Sequence, residues 1–257
     1  MVAERLKPTE RFSGRVDDYV RYRPGYPSEA LKPLIRECSL GPRARVADIG
    51  AGTGIWTGRL LDAGCRVVAL EPNREMRLAG RRRLGEGDRV SWLAGTAEDT
   101  GLADASVDLV TAAQAFHWFD RRRARAELAR VLEPGGWMAV IWNERHKQST
   151  PFLVAYERLL VDWAIDYQRL DHSRIGRPDL ELFFAPAPVR EFRCDNRQLL
   201  DLEGLEGRLR SCSYAPGPEH PDYTPMMADL KRVFADCQED GRVAIDYDCR
   251  IYYGRLG

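Results

Sequence analysis

The sequence lacks the cysteine pairs that mark zinc sites and disulfide-rich proteins. Six cysteines are scattered over 257 residues, and none of them forms a C-x-x-C pair. This spacing gives no ligand set for zinc and no disulfide framework. We therefore expect no bound metal and a reducing, cytoplasmic setting.

An excess of charge and long apolar runs are also missing. The 39 basic residues balance 39 acidic ones, so no overall field would hold nucleic acid or an acidic membrane. The basic runs 81–83 and 121–123 each adjoin a helical pattern, which favours a solvated helix face. No apolar run approaches the ~20 residues of a membrane span, and residues 1–12 lack the apolar stretch of a signal peptide. We expect no nucleic-acid partner and no membrane partner; the oligomeric state stays open.

Strand and helix signals alternate through the first 143 residues. Strands separated by helices must pair in parallel, because only a crossover returns the chain in the same direction. We therefore predict an α/β fold, a Rossmann-like doubly wound and mostly parallel seven-stranded sheet. The predicted strands cover 45–49, 66–70, 89–93, 107–111 and 137–142, with helices after Gly54, over 73–84 and after Asp120, the last ending at Pro134.

The second half of the chain carries mostly helical patterns. One apolar stripe follows Thr150-Pro151, a second helix covers 199–210, and Thr224-Pro225 opens a third. A strand is predicted over 189–194. The strict alternation over 243–253 predicts a half-buried strand, antiparallel and at the end of the sheet. We expect one domain over 1–257, with a cofactor-binding core over 12–143 and a helical substrate cover within 144–257.

A glycine-rich turn joins the first predicted strand to the first helix of the core. Gly50, Gly52 and Gly54 let the backbone turn tightly and approach a ligand without a Cβ in the way. Their spacing is G-x-G-x-G, whereas nicotinamide and flavin sites use G-x-G-x-x-G, and no nucleotide-triphosphate loop is present. The turn alone could also be an ordinary tight turn.

A carboxylate at the end of the second predicted strand narrows the kinds of ligand that the glycine-rich turn is expected to bind. Glu71 lies 21 positions after Gly50, where an acid can accept hydrogen bonds from both hydroxyls of a ribose. With Asp48 before the turn, the pattern indicates a site for an adenosine that carries no phosphates.

Four segments carry a resemblance to a known family. DIGAGTG at 48–54, VVALEP at 67–72, GTAE at 95–98 and RVLEPGG at 130–136 resemble, in order, the motifs of class I S-adenosylmethionine-dependent methyltransferases. AQAFHWFD at 113–120 and YRPGYP at 22–27 are similar to the type 11, trans-aconitate methyltransferase-like branch, which acts on small molecules. The resemblance is strong over 12–143 and weak beyond, apart from RSCSY at 210–214. Ala51 stands where many members carry Cys.

The resemblance implies S-adenosylmethionine as cofactor, S-adenosylhomocysteine as product and a small molecule as substrate. It implies that the loop glycines line the methionine part, that Asp48 orients the loop or reaches the amino group, and that Glu71 holds the ribose. The adenine would contact Met76 and the edge formed by Ala97 and Glu98, and Tyr19 and Arg23 would close over the cofactor. Met76 could equally be plain core and Arg23 a surface ion pair. The implied cofactor residues are Tyr19, Arg23, Asp48, Gly50, Gly52, Gly54, Glu71, Pro72, Met76, Thr96, Ala97, Glu98 and Gln114.

The segment TAAQAFHWFD at 111–120 places polar side chains at the end of a predicted buried strand. Ligands of open α/β sheets bind beyond the carboxyl ends of the strands. We therefore expect Gln114 to hydrogen-bond the amino-acid end of the cofactor, and Phe116, His117 and Trp118 to face the methyl group and the acceptor. His117 is the candidate general base, if the acceptor must lose a proton; otherwise it only hydrogen-bonds. Arg210 could anchor a carboxylate acceptor, with Trp142 and Tyr214 shaping the pocket.

The predicted activity is methyl transfer by direct in-line displacement to a carboxylate, a hydroxyl or a heterocyclic nitrogen. Two alternatives remain at this stage: a binding fold without catalysis, and a methyltransferase acting on a macromolecule. An NAD-dependent oxidoreductase is a more distant one.

Overall fold

The sheet is built around the strand that precedes the glycine-rich turn. The computed structural model describes residues 14–165, 167 and 175–256; the prediction about residues 1–12 lies outside them. The strand order is β3-β2-β1-β4-β5-β7-β6. The strands are β1 Arg45–Ile49, β2 Arg66–Leu70, β3 Val90–Leu93, β4 Val107–Ala113, β5 Leu132–Arg145, β6 Arg190–Leu200 and β7 Val243–Arg255.

Helices cover both faces of the sheet and one of its edges. Asn73, Asp120 and Thr150 each accept a backbone hydrogen bond from the first turn of the helix that follows, as N-cap residues do. The helices are α1 Val16–Tyr22, α2 Lys32–Glu37, α3 Ile55–Asp62, α4 Arg74–Leu84, α5 Arg121–Val131, α6 Pro151–Trp163, α7 Arg177–Phe184, α8 Leu202–Arg210 and α9 Tyr223–Cys237.

The predicted fold class is confirmed. Strands β1 to β5 pair in parallel, and β7 runs antiparallel to both β5 and β6. The prediction that the last strand ends the sheet is wrong, because the strand over 190–200 pairs along its whole length with β7 and takes the edge. The basic runs lie exposed on α4 and at the start of α5.

Several element boundaries differ from the prediction, and three of the differences have a clear physical reason. The helix before Pro134 ends at Val131, since Leu132 pairs with Val107 of β4 instead of continuing the helix. The predicted strand over 189–194 extends to Leu200, and Asp201 then caps α8. Helix α9 begins at Tyr223, so Thr224-Pro225 lies within its first turn, where Pro removes no intrahelical hydrogen bond.

The antiparallel strand β7 explains why the second half of the chain covers the carboxyl ends of the parallel strands. Its first residues lie beside the last residues of β5, with Tyr247 opposite Arg145. This is the edge at which the parallel strands have their carboxyl ends. The apolar faces of α6, α8 and α9 pack on Val243, Ile245 and Tyr247 in one buried cluster. The cover is therefore held by the sheet itself.

Candidate active site

The turn between β1 and α3 requires glycine at two positions. Gly50 and Gly54 have φ of 68° and 79°, a left-handed conformation that L side chains rarely adopt. A Cβ on Gly50 would lie 2.6 Å from Cβ of Ala115, and one on Gly54 would lie 2.7 Å from Cδ1 of Leu84. The turn therefore lies directly against the end of β4 and against α4.

Glu71 binds the backbone of the turn. At the end of β2 its Oε2 accepts from N–H of Gly52 at 2.9 Å and its Oε1 from N–H of Asn73 at 2.8 Å. Burial raises the pKa of this carboxyl, and the two backbone hydrogen bonds oppose that shift. Each carboxylate oxygen can accept more than one hydrogen bond, so ribose hydroxyls can still be bound.

Asp48 lies fully buried beneath the turn. Its two carboxylate oxygens accept from Oγ1 of Thr57 at 2.6 Å and Oγ1 of Thr111 at 2.9 Å. Burial raises the pKa of Asp48 to about 6 despite these two hydrogen bonds. Asp48 therefore joins β1 to α3 and to β4, which supports its predicted role in orienting the turn.

Gln114 follows β4 in a strained conformation. Its φ of 55° lies in the left-handed region, which costs a non-glycine residue roughly 1–2 kcal/mol. Its side-chain amide donates to the carbonyl of Asn143 at 3.0 Å, at the neighbouring end of β5. Asn143 in turn donates to the carbonyl of Gly25 at 3.0 Å. This chain of hydrogen bonds draws the N-terminal segment over the carboxyl edge.

Tyr19 and Arg23 belong to that segment. The guanidinium of Arg23 lies over the ring of Tyr19, 4.9 Å from its centre, and donates to the carbonyl of Ser211 at 3.0 Å. Helix α1 is thereby fastened to the C-terminal half, and an ion pair between Asp18 and Arg210 holds it as well.

The residues predicted at the adenine side lie beyond the glycine turn. Met76 is buried with Val16 and Ala79, and its Cε lies 3.5 Å from the place of a Cβ on Gly52. This position is compatible with an adenine contact and with a plain core role. Pro72 is half-buried and immediately follows Glu71.

The loop after β3 contributes the remaining predicted residues. Ala97 is buried, and Thr96 is half-buried with its hydroxyl accepting from N–H of Asp99 at 3.2 Å. Oε1 of Glu98 accepts from N–H of Asp120 at 2.7 Å, so this carboxylate anchors the start of α5. An adenine amine would have to share it.

One cavity of about 310 Å³ opens at the carboxyl edge between the glycine turn and the cover. It brings together eight of the predicted residues: Tyr19, Arg23, Asp48, Gly50, Gln114, His117, Trp118 and Tyr214. His117 and Trp118 lie on a short 3-10 turn after β4, with ring centres 4.7 Å apart. Other lining residues were not predicted as site residues from the sequence, among them Asn143, Glu144, Arg145, Lys147, Tyr167, Arg208 and Tyr247.

The structure does not bring three predicted substrate residues into the cavity. Phe116 is fully buried, and its ring packs edge-on against that of Phe183 at 4.8 Å. Trp142 is buried in the same cluster. Side chains alternate along β5, so Trp142 points to the face opposite that of its neighbour Asn143, which lines the cavity. Arg210 points to α1, where its Nε lies 2.9 Å from Oδ2 of Asp18.

Arg208, two residues earlier on α8, lines the cavity instead. A signal for it exists in the sequence: Leu205, Arg208, Leu209 and Cys212 recur at helical spacing, so the arginine belongs to an apolar face. An arginine within such a face is the one that turns inward.

Comparisons with known proteins find similarity to methyltransferases. Residues 47–140 match the family model described as a methyltransferase domain. An uncharacterized methyltransferase of Mycobacterium tuberculosis is 43% identical over 148 residues, 58% of this chain and 58% of that protein. Malonyl-[acyl-carrier protein] O-methyltransferase of Methylococcus capsulatus is 41% identical over 101 residues, 38% of this chain and 37% of that one. A solved structure of a candidate type II methyltransferase from Anaeromyxobacter dehalogenans has a TM-score of 0.65 at 24% identity, covering 91% of this chain and 98% of that one.

The match to the methyltransferase domain runs from β1 into β5, and the fold is that of a solved methyltransferase structure. Over residues 47–140 the chain is therefore similar to class I S-adenosylmethionine-dependent methyltransferases. The chain matches just over half the length of the Mycobacterium tuberculosis protein.

Proposed function

We propose that this protein transfers a methyl group from S-adenosylmethionine to a small-molecule acceptor by direct in-line displacement. The observation that carries the proposal is the shared cavity, in which the glycine turn and Gln114 face His117, Trp118 and the C-terminal cover. The cavity is at the lower end of the roughly 300–1,000 Å³ usual for ligand pockets, which favours a small acceptor.

The residues at the glycine turn fit the cofactor. The site offers a carboxylate to the ribose through Glu71, a turn that admits close backbone approach, and an arginine, Arg23, for the carboxylate of the methionine part. The bound cofactor supplies an electrophilic methyl group on a sulfonium. What the chain must add is alignment, and well-aligned reactants gain on the order of 7–11 kcal/mol from positioning.

The aromatic turn at the end of β4 excludes water from the reacting atoms. Trp118 can also stabilise the sulfonium charge by a cation–π contact of roughly 0.5–2 kcal/mol. A hydroxyl or a protonated nitrogen must lose its proton, and the imidazole of His117 on this wall is the proposed base. A carboxylate acceptor needs no base, and one relative is named for O-methylation of malonyl-[acyl-carrier protein].

Binding and transfer are tested separately. Calorimetry with S-adenosylhomocysteine should show binding to the native protein, and Glu71→Gln should weaken it, because an amide cannot accept from both backbone N–H groups and the ribose. The matched control is Glu86→Gln, an exposed acid that pairs with Arg81. Absence of binding to the native protein would refute the proposal.

Transfer is then measured with cofactor labelled in its methyl group and a panel of carboxylate, hydroxyl and heterocyclic acceptors. Label in a small product supports the proposal. Binding without transfer to any acceptor would favour the alternative of a repurposed binding fold, and label in protein or nucleic acid would favour a macromolecular substrate.

No helix among the described residues is long and apolar enough to cross a bilayer. A cytoplasmic location remains a prediction of the sequence.

A further inference from the structure

Arg208 is a buried cation in the wall of the cavity. Its side chain belongs to a residue only 6% exposed, on α8. Nη1 lies 2.9 Å from Sγ of Cys212, and Nε lies 3.4 Å from the hydroxyl of Tyr247. Within residues 14–165, 167 and 175–256, no carboxylate forms an ion pair with this guanidinium. Burying a charge without a counter-charge costs several kcal/mol.

Three other charged groups of the cavity wall form ion pairs, and Asp48 accepts from two threonine hydroxyls. Arg145 pairs with Glu157, and Nζ of Lys147 lies 3.6 Å from the same carboxylate. Glu144 pairs with Arg250 at 3.0 Å. Among the described residues, Arg208 is therefore a cation of this wall without an ion pair, at the end of the cavity formed by α8.

In the free protein Arg23 is a second cation at this end of the cavity, and in the complex the carboxylate of the methionine part is its proposed partner. Its described contacts are the carbonyl of Ser211 and the ring of Tyr19, neither of which carries a full negative charge. Arg208 on α8 and Arg23 just after α1 thus both contact the segment that follows α8, at Cys212 and Ser211. A cleft of one sign with low-dielectric walls concentrates ligands of the opposite charge.

The thiol of Cys212 responds to the same positive field. Burial opposes its ionisation, yet the guanidinium groups of Arg208 and Arg23 lower the pKa of Cys212 to about 7. A hydrogen bond from Tyr214 acts in the same direction. An anion is thus stabilised at this end of the cavity even where burial disfavours it.

We propose that Arg208 binds an anionic group of the methyl acceptor, a carboxylate or a phosphate, remote from the atom that receives the methyl group. This inference rests on the proposed function. The anion is remote because a carboxylate held by a guanidinium shares its lone pairs with the N–H donors and becomes a poorer nucleophile. Arg208 is accordingly a residue that determines specificity, and the reacting atom of the acceptor faces His117 and Trp118.

The test compares Arg208→Met with Arg232→Met, a matched loss of an exposed arginine that pairs with Asp229 on α9. Calorimetry is done at pH 6 with S-adenosylhomocysteine bound, using benzoate, glutarate and inorganic phosphate as probes and benzamide and glutaramide as neutral counterparts. The native protein and the Arg232 variant should bind at least one anion and neither amide. Arg208→Met should lower the affinity for that anion by about 30-fold or more, as expected for loss of a buried charged partner. The affinity for S-adenosylhomocysteine should stay within about 2-fold of the native value.

A stability measurement separates binding from a structural role. At pH 6 the thiol of Cys212 is mostly protonated, so Arg208 has no counter-charge from it. Replacing an uncompensated buried charge by an apolar group of similar length should then raise the melting temperature of the free protein, whereas an arginine that supports the fold would lower it. Arg208→Lys provides a second variant if the Met variant fails to fold; it keeps the charge without the guanidinium fork and should bind the anion with intermediate affinity.

The outcomes that overturn the inference are specific. They are unchanged anion affinity in Arg208→Met, equal binding of the neutral amides, no binding of any probe anion, or a lower melting temperature for Arg208→Met at pH 6. Binding of benzoate or glutarate indicates that the site takes a carboxylate, and binding of inorganic phosphate indicates that it takes a phosphate. Failure of the proposed function would instead show as no binding of S-adenosylhomocysteine by the native protein.

Discussion

Replacing Asp48 by Asn should make the stability of the free protein less sensitive to pH. Asp48 is buried with its two oxygens on Thr57 and Thr111, and burial raises its pKa from 3.8 to about 6. A carboxyl whose pKa is higher in the folded state stabilises that state only while protonated. Its contribution is therefore complete below pH 3.8 and is lost as the pH rises through 6.

The magnitude follows from the two pKa values. At pH 7 the folded protein holds an ionised buried carboxylate, and the difference between the unfolded and folded pKa values makes the free energy of unfolding about 3 kcal/mol lower than it is at low pH. Asn has nearly the same shape, does not titrate, and can still accept a hydrogen bond from one threonine while the other hydroxyl turns to accept from its amide. The free energy of unfolding of Asp48→Asn minus that of the native protein should therefore be near zero at pH 4 and about 3 kcal/mol at pH 7. In a chain of this size that difference shifts the melting temperature on the order of 5–10 °C.

The assay is urea unfolding of both proteins without cofactor at several pH values between 4 and 7.5. Asp108→Asn is the opposite control, since a hydrogen bond with Arg45 lowers the pKa of Asp108 below its usual value. That variant should be less stable than the native protein at pH 7, and the deficit should shrink as the pH falls. A stability difference for Asp48→Asn that stays constant over this range would refute the reasoning.

Three further predictions concern the site. Gly50→Ala should abolish S-adenosylhomocysteine binding and lower the free energy of unfolding by about 2–4 kcal/mol, because it combines a left-handed φ with a Cβ 2.6 Å from Ala115. Calorimetry measures the binding and urea unfolding the stability, and unchanged binding would contradict the prediction. His117→Ala should lower kcat by about 10²-fold or more with an acceptor that must lose a proton, with cofactor affinity nearly unchanged; equal turnover would leave His117 without a catalytic role. Gly207→Ala should weaken cofactor binding with little change in the sheet, because a Cβ there would lie 2.1 Å from the ring of Tyr22 and displace α1 from α8. Calorimetry measures the affinity and circular dichroism the sheet content, and a normal affinity would show that α1 does not cover the cofactor.

The alternation of strands and helices was predictable from the sequence because each element has its own period. The strands over 45–49 and 66–70 have the predicted bounds, and Asp120 caps α5 as predicted. Element ends were less predictable where a long-range partner decides them. Leu132 fits the apolar face of α5, yet it joins the sheet because β4 offers it a backbone partner.

The candidate site divides in the same way. The glycine turn and Glu71 can be read from their positions at the ends of consecutive strands, and the structure joins them through a hydrogen bond of 2.9 Å. The substrate side is predicted only in part. The apolar spacing on α8 indicates that Arg208 turns inward, but the partner of Arg210 on α1 and the rest of the cavity wall depend on tertiary contacts.

The sequence by itself determined the order of the elements, the parallel sheet and the glycine turn with its carboxylate, because these depend on local periodicity and on conformations that glycine permits. Only the tertiary structure decided which side chains share the cavity and which charges remain uncompensated. Packing of α1 and α8 over the start of β7 sets both, and it depends on contacts between residues up to about 200 positions apart in the chain. The helical spacing places Arg208 on an apolar face, but it does not show that Arg210 pairs with Asp18 of α1, 192 positions away.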